Sequence, residues 1–289
     1  MAEKTSFADY KPDAAIWITL ATGEFYPDIL PAACELDKPV LTTFGDLLKQ
    51  SVTSVEFFNR IAEVREGWMR VQLARVFRKY VSPATPVELL KKKAQAKYIC
   101  DTFGPEFRPI VEVQKAFVGR PLPDEALCAV LWEYKDRGKK GYDLTERLFA
   151  LLAEQLPDMQ VTGPKRAGKD VPMRAVFADY PNPTRPVDFV IRDQGRPVAV
   201  GLVRYDSDRG GAQEDDRPGQ YRDCAQELLG YAAQHGLNLK VVFVNDGPGL
   251  LLGTMWDDYA AIERSNPDRI RVVTLRMVPE RLTPAWLLG

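Results

Sequence analysis

The stretch Pro186–Asp216, PVDFVIRDQGRPVAVGLVRYDSDRGGAQEDD, decides how this chain is read. Val187 to Ile191 is β-branched and aromatic, the composition of a buried strand, yet it holds a carboxylate at Asp188, where an apolar residue would be easier to bury. Asp193-Gln194-Gly195-Arg196 has turn chemistry and Pro197 to Tyr205 is the returning strand, so the pair predicts a hairpin. Beyond it the chain becomes polar. Asp206-Ser207-Asp208-Arg209-Gly210-Gly211 and Gln213-Glu214-Asp215-Asp216-Arg217 hold more charge than a hairpin tip requires, and such a loop needs water or a partner.

Outward from this hairpin the periods alternate. Tyr221 to Gln234 predicts a helix stopped by Gly236, Lys240 to Val244 a fully buried strand, Thr254 to Arg264 a helix, and Ile270 to Leu275 a last strand. Upstream, Met173 to Phe177 predicts a strand. Asp143 is placed to cap a helix with Glu146 three residues on, and Leu144, Leu148, Leu151 and Leu152 form its apolar face up to Leu156. The order α-β-β-β-α-β-α-β predicts an α/β fold, a mixed sheet with helices on both faces.

The polar, glycine-flanked run Lys135 to Gly141 marks the expected boundary, dividing the chain into a mainly helical N-terminal region, 1–140, and the α/β core, 141–289. Thr5 to Pro39 has no clean period and is expected to be an irregular arm or short strands. From Thr43 the apolar positions Val52, Val55, Phe58, Ile61, Val64, Trp68 and Leu73 predict a long amphipathic helix reaching toward Pro83, broken at most once. Thr85-Pro86 opens another that should run to Thr102, and shorter helices are expected near Ile110–Phe117 and Pro123–Tyr134.

Composition sets the outer limits. With 289 residues, 45% hydrophobic and 27% charged, the chain can bury a sizeable core. No apolar run approaches the roughly eighteen residues of a membrane span, and Met1 to Tyr10 has no basic-then-apolar pattern, so a cytoplasmic protein is expected. Cys34, Cys100, Cys128 and Cys224 are scattered, as suits buried thiols better than disulfides or a zinc site. The net charge of −1 hides an uneven distribution. Between Ser51 and Lys97 cations outnumber carboxylates, the pattern of either a solvated helical face or a basic surface for nucleic acid.

The helix with Glu146, the strand with Pro186-Val187-Asp188, the strand after it and the αβ tail resemble the PD-(D/E)XK nuclease fold, and the whole is similar to type II restriction endonucleases over roughly Tyr142 to Val278. The resemblance implies a restriction-endonuclease-like mixed sheet flanked by helices, sequence-specific cleavage of double-stranded DNA with Mg²⁺, and a homodimer that cuts both strands. In that family an Asp and, on the next strand, an acid-x-Lys hold Mg²⁺, which neutralises charge developing on phosphate and lowers the pKa of the attacking water. Asp188 matches the first position, within Pro-Val-Asp in place of Pro-Asp. The second position falls at Gly201-Leu202-Val203, which has neither acid nor lysine. Gly201 should then leave a gap on the metal side. Two outcomes stay open: Asp206, Asp208 or Glu214 supplies the second carboxylate and Arg204 or Arg209 the cation, or catalysis has been lost and a DNA-binding protein remains.

Each candidate also has a structural reading. Asp188 could pair with Arg185, Glu146 could be a capping residue in place of a ligand, and the 206–217 loop could simply be solvated. Against the last, its glycine pair with Arg209 and Arg217 suits close approach to phosphates or guanine edges. Gly163-Pro-Lys-Arg-Ala-Gly-Lys169-Asp170 nearly spells a phosphate loop, but Asp170 stands where a metal-binding hydroxyl should be and a strand follows in place of a helix, so no nucleotide cofactor is expected. Lys165, Arg166 and Lys169 are expected to touch DNA phosphates. His235, the lone histidine, is expected to cap a helix end.

Overall fold

The computed structural model describes residues 4–166, 168–207 and 217–289, without the side chains of 135–139 and 217. The chain divides into two compact units, one of residues 1–22 with 137–289, the other of residues 23–136.

The first unit is α/β. Its strands are β1 (Gln160–Thr162), β2 (Val171–Pro172), β3 (Pro186–Val187), β4 (Phe189–Asp193), β5 (Arg196–Tyr205), β6 (Lys240–Asp246) and β7 (Ile270–Val273). Five of them form a sheet in the order β1-β4-β5-β6-β7, while β2 and β3 make a separate antiparallel pair. β1, β4 and β5 run as an antiparallel meander, with β6 and β7 added in parallel. Parallel neighbours need long crossovers, and the helices Arg217–Gln234 and Met255–Ser265 provide them. β6, KVVFVND, is buried along its whole length, as a central strand with both faces covered must be. The β4–β5 turn places Gln194 at φ 47° and Gly195 at φ 82°. Both angles are positive, the requirement of a two-residue hairpin whose twist matches its strands.

The meander's first strand differs from the sequence reading. It is Gln160–Thr162, paired with β4 through Val161 and Ile191, whereas Met173–Ala175 is a 3-10 turn. Three residues with polar ends are too short to show a period of two. Met173 is apolar because it is completely buried, and the Val176 and Phe177 N–H groups fold back to its carbonyl.

The boundary between the two units falls within Lys135–Gly141, after Asp136, but the helical stop expected there does not occur, because one helix runs from Glu125 to Gln155. Gly138 and Gly141 each weaken a helix by about 1 kcal/mol, but packing holds the helix on either side of them. Cys128, Leu131 and Trp132 enter one core, and Leu144, Leu148 and Leu152 enter the other. Asp143 therefore lies inside a helix and caps nothing. The arm is corrected too: Phe7, Tyr10, Ala14 and Ile18 are buried in the same core as the sheet. Residues 1–22 thus belong with the sheet, and the helical unit is 23–136 in place of 1–140.

That helical unit contains Leu30–Lys49, Ser54–Glu63, Gly67–Tyr80, Ala96–Phe103 and Ile110–Val118. The single long helix expected from Thr43 is three helices. Thr53 ends the first interruption as an N-cap, its hydroxyl accepting the Glu56 N–H at 3.0 Å. The helix expected from Pro86 to Thr102 is likewise divided, between Val87–Leu90 and Ala96–Phe103. Phe44, Phe57, Phe58 and Phe77 fill the unit's core, with Phe44 and Phe57 edge to face at 4.8 Å. All four cysteines are free. Among the described residues no helix is long and apolar enough to cross a membrane.

Candidate functional site

Asp188 stands between β3 and β4, at a break in the strand. Its backbone N–H donates to the Gly201 carbonyl at 2.9 Å, and its side-chain Oδ2 accepts the Val203 N–H at 2.6 Å. The carboxylate thereby replaces a backbone acceptor at the edge of the ladder with β5. Burial pushes its carboxyl up to about 6, the Val203 N–H opposes that shift, and the neighbouring charge of Asp170 adds to it. Arg185 is not its partner. That guanidinium is paired with Glu227, which also accepts the Tyr180 hydroxyl at 3.0 Å.

A cavity of about 310 Å³ opens beside Asp188, lined also by Val203, Asp170, Arg166, Tyr142 and Thr145. Just after β1, Gly163 approaches the Asp188 backbone, where an added Cβ would lie 2.2 Å from the Asp188 carbonyl oxygen. Only glycine fits so close an approach. Asp170 arrives from the other side. β2 pairs with β3 through Val171 and Val187, and one step further along that register sets Asp170 opposite Asp188.

The other candidates are distributed as follows. Arg166 lines the Asp188 cavity, and its Nη2 lies 2.8 Å from Oε2 of Glu146, which projects from the interior of the 125–155 helix and does not line that cavity. Glu146 is therefore not a cap, and it meets the Asp188 cavity through Arg166. Lys165 and Lys169 are exposed, the former with Nζ 6.0 Å from the Phe149 ring centroid. Arg204 and Asp206 flank Tyr205, the last residue of β5, where the Arg204 Nε donates to Asp206 Oδ1 at 2.8 Å and the Tyr259 hydroxyl is 3.4 Å from Oδ2. Asp206 is only 2% exposed and does not line the cavity. Asp206, expected to share a metal with Asp188, is thus not among the residues that line the Asp188 cavity. Asp208, Arg209 and Glu214 lie outside the described residues, as does the side chain of Arg217, which opens the 217–234 helix.

The expected gap at Gly201 is closed. A Cβ there would meet the Phe189 ring at 2.1 Å, so the ring of the paired strand already occupies the space a carboxylate would need. Val203 contributes its backbone N–H and no cation. The segment before β2 is followed by that short strand and a 3-10 turn, not by a helix. His235 does not join the site. Its Nδ1 is 2.9 Å from the Tyr231 carbonyl and its Nε2 is 3.2 Å from Asp179 Oδ2.

The residue that sequence reasoning passed over is Asp170, read only as the wrong residue in a phosphate loop. The available signal was symmetry: Asp170-Val171-Pro172 and Pro186-Val187-Asp188 become mirror partners once the two short strands are paired. Among the described residues no group of three or more His, Cys, Asp or Glu is arranged to hold a metal ion. The two carboxylates at the cavity are hard oxygen donors, the ligand type Mg²⁺ takes, commonly with only one or two from protein. In comparisons with family models, curated proteins and solved structures, this chain matches none.

Proposed function

We propose that this protein is a Mg²⁺-dependent endonuclease of the type II restriction kind, acting on double-stranded DNA as a homodimer. The observation that carries the reading is the position of Asp188. It lies at the head of the second strand of an antiparallel meander whose third strand continues in parallel to β6, and it faces an open cavity shared with Arg166 and Asp170. This arrangement of strands and carboxylate supports the reading drawn from the sequence resemblance.

Within this reading, Mg²⁺ when bound supplies charge neutralisation at phosphate and a water of lowered pKa. Asp188 offers a hard oxygen ligand at the cavity, its orientation fixed by the Val203 N–H donating to Oδ2. Arg166 offers a guanidinium at the same opening for a phosphate oxygen. Lys165 and Lys169, exposed on the adjoining segment, contact the DNA backbone. Plasmid nicking with and without Mg²⁺ tests the reading. Cleavage should require Mg²⁺ and disappear in Asp188→Asn while DNA binding persists.

The Phe189 ring over Gly201 and the absent cation at Val203 favour a second reading, a DNA-binding protein of this fold that does not cleave. Contact with about six phosphates should give log K against log salt a slope of roughly −5. That slope without nicking selects the second reading; a slope near zero excludes both.

A further inference from the structure

A second cavity of the α/β unit, of about 420 Å³, differs in character from the one beside Asp188. Leu151, Leu275 and Pro279 give it an apolar floor, and two guanidiniums, Arg147 and Arg276, line it with them. Small-molecule sites are of this kind, about 300–1,000 Å³ and mainly apolar with a few polar groups. Its walls are fixed by hydrogen bonds. The Asp246 carboxylate accepts the Thr19 N–H on one oxygen and the Leu275 N–H on the other, and both of those residues line the cavity. Gln155, one turn beyond Leu151, donates to the Pro279 carbonyl at 2.7 Å and so ties the 125–155 helix to the opposite wall. An opening held in this way need not be assembled by its ligand, which lowers the cost of binding.

The cavity also lacks a counter-charge. Both guanidiniums stay charged at any physiological pH. Glu146, beside Arg147 in the chain, is paired with Arg166, and Glu280, one turn after Arg276, is bonded to the Tyr10 hydroxyl. Asp143 lines a neighbouring opening and not this one. The partner of Arg276 is the neutral Ile16 carbonyl, and Arg147 has none among the described residues. Two forks of N–H donors beside an apolar floor match an oxyanion that carries a hydrocarbon tail.

We propose that this cavity binds a single-chain aliphatic oxyanion, its carboxylate or monophosphate head between Arg147 and Arg276 and its tail on Leu151, Leu275 and Pro279. The inference is independent of the endonuclease reading, since Asp188 lines a different cavity. Hexanoate, octanoate and decanoate, then decyl phosphate and decylamine, are titrated calorimetrically into the full chain. The same titrations are run on Arg147→Gln, on Arg276→Gln and on Ala150→Trp, which puts a large ring at an exposed lining position. Arg264→Gln, at an exposed position of the 255–265 helix, is the control, and circular dichroism checks the fold of each.

Affinity should rise about three- to four-fold for each added methylene and fall about ten-fold or more in each arginine variant. Ala150→Trp should block binding, Arg264→Gln should not alter it, and decylamine should not bind. Binding of either decanoate or decyl phosphate supports the site, and the tighter of the two identifies the head it prefers. Affinity that does not change with tail length overturns the inference and marks the two arginines as contacts for a bare phosphate, such as that of a DNA backbone. An unmodified chain that binds neither decanoate nor decyl phosphate overturns it, as does binding unaltered in both arginine variants.

Discussion

Two aspartates of the α/β unit, the half-buried Asp188 and the buried Asp246, are treated oppositely by the chain around them. Asp246, at the end of β6, is completely buried, and three backbone N–H groups converge on its carboxylate: Thr19 at 2.6 Å, Gly247 at 2.7 Å and Leu275 at 2.9 Å. Burial raises its pKa and those three donors oppose the rise. Asp188 receives one backbone donor, shares its cavity with a second carboxylate, and opens toward solvent. The first is saturated by the protein and acts as a rivet. The second is left short of positive charge, which is what a group awaiting an outside ligand looks like.

The contrast is most severely tested by removing the rivet. Asp246→Ala would strand three buried N–H groups, and a loss of about 3–5 kcal/mol is expected in urea denaturation. A loss under about 1 kcal/mol would mean that water satisfies those donors and that Asp246 is no more structural than Asp188. Next comes the packing that closes position 201. Gly201→Ala pushes a methyl into the Phe189 ring, and about 2–3 kcal/mol of destabilisation is expected; a neutral change would reopen that position to a side chain.

A smaller effect separates the two aspartates by pH. A carboxyl raised to about 6 in the folded state is protonated there before it is in the unfolded chain. Its favourable contribution is therefore complete at low pH and is lost as pH rises through 6. In Mg²⁺-free buffer Asp188→Asn should be more stable than the unmodified chain at pH 8 by about 1–2 kcal/mol, after discounting for partial exposure, and not at pH 4. Adding Mg²⁺ should remove the difference. The smallest effect concerns the exposed pair Glu146–Arg166, where Glu146→Gln should leave stability unchanged at any salt concentration. A measurable loss would give Glu146 a role that its position denies.

Much of the sheet was legible because β5 and β6 are long and β-branched, and because the Gln194-Gly195 turn has its own chemistry. The helices 217–234 and 255–265 announced themselves by period and stop signals. What was not legible depended on distance in the chain. β1 and β2 are three and two residues long, and only their partners make them strands. The helix across 135–141 looked broken because glycine and charge are local signals, whereas the two cores that hold it are not. Asp188 stood out by itself as a carboxylate among apolar residues. Asp170 could not, since its meaning arises only when β2 is laid against β3.

The first twenty-two residues raise a matter of timing. The Phe7 N–H donates to Glu263, the Thr19 N–H to Asp246 and the Ala21 N–H to the Tyr205 hydroxyl, while the Trp17 carbonyl accepts from Thr274. All four partners follow residues 23–136 in the chain, and those residues form one continuous stretch with a core of its own. On the ribosome the helical unit is therefore expected to close first, while the leading segment waits, apolar side chains exposed, for β6, β7 and the helix between them. Until those elements emerge, Phe7, Tyr10 and Ile18 are the part of the nascent chain most open to capture by a chaperone, and pulse-labelled ribosome-bound intermediates should show protection in 23–136 well before any in 4–22.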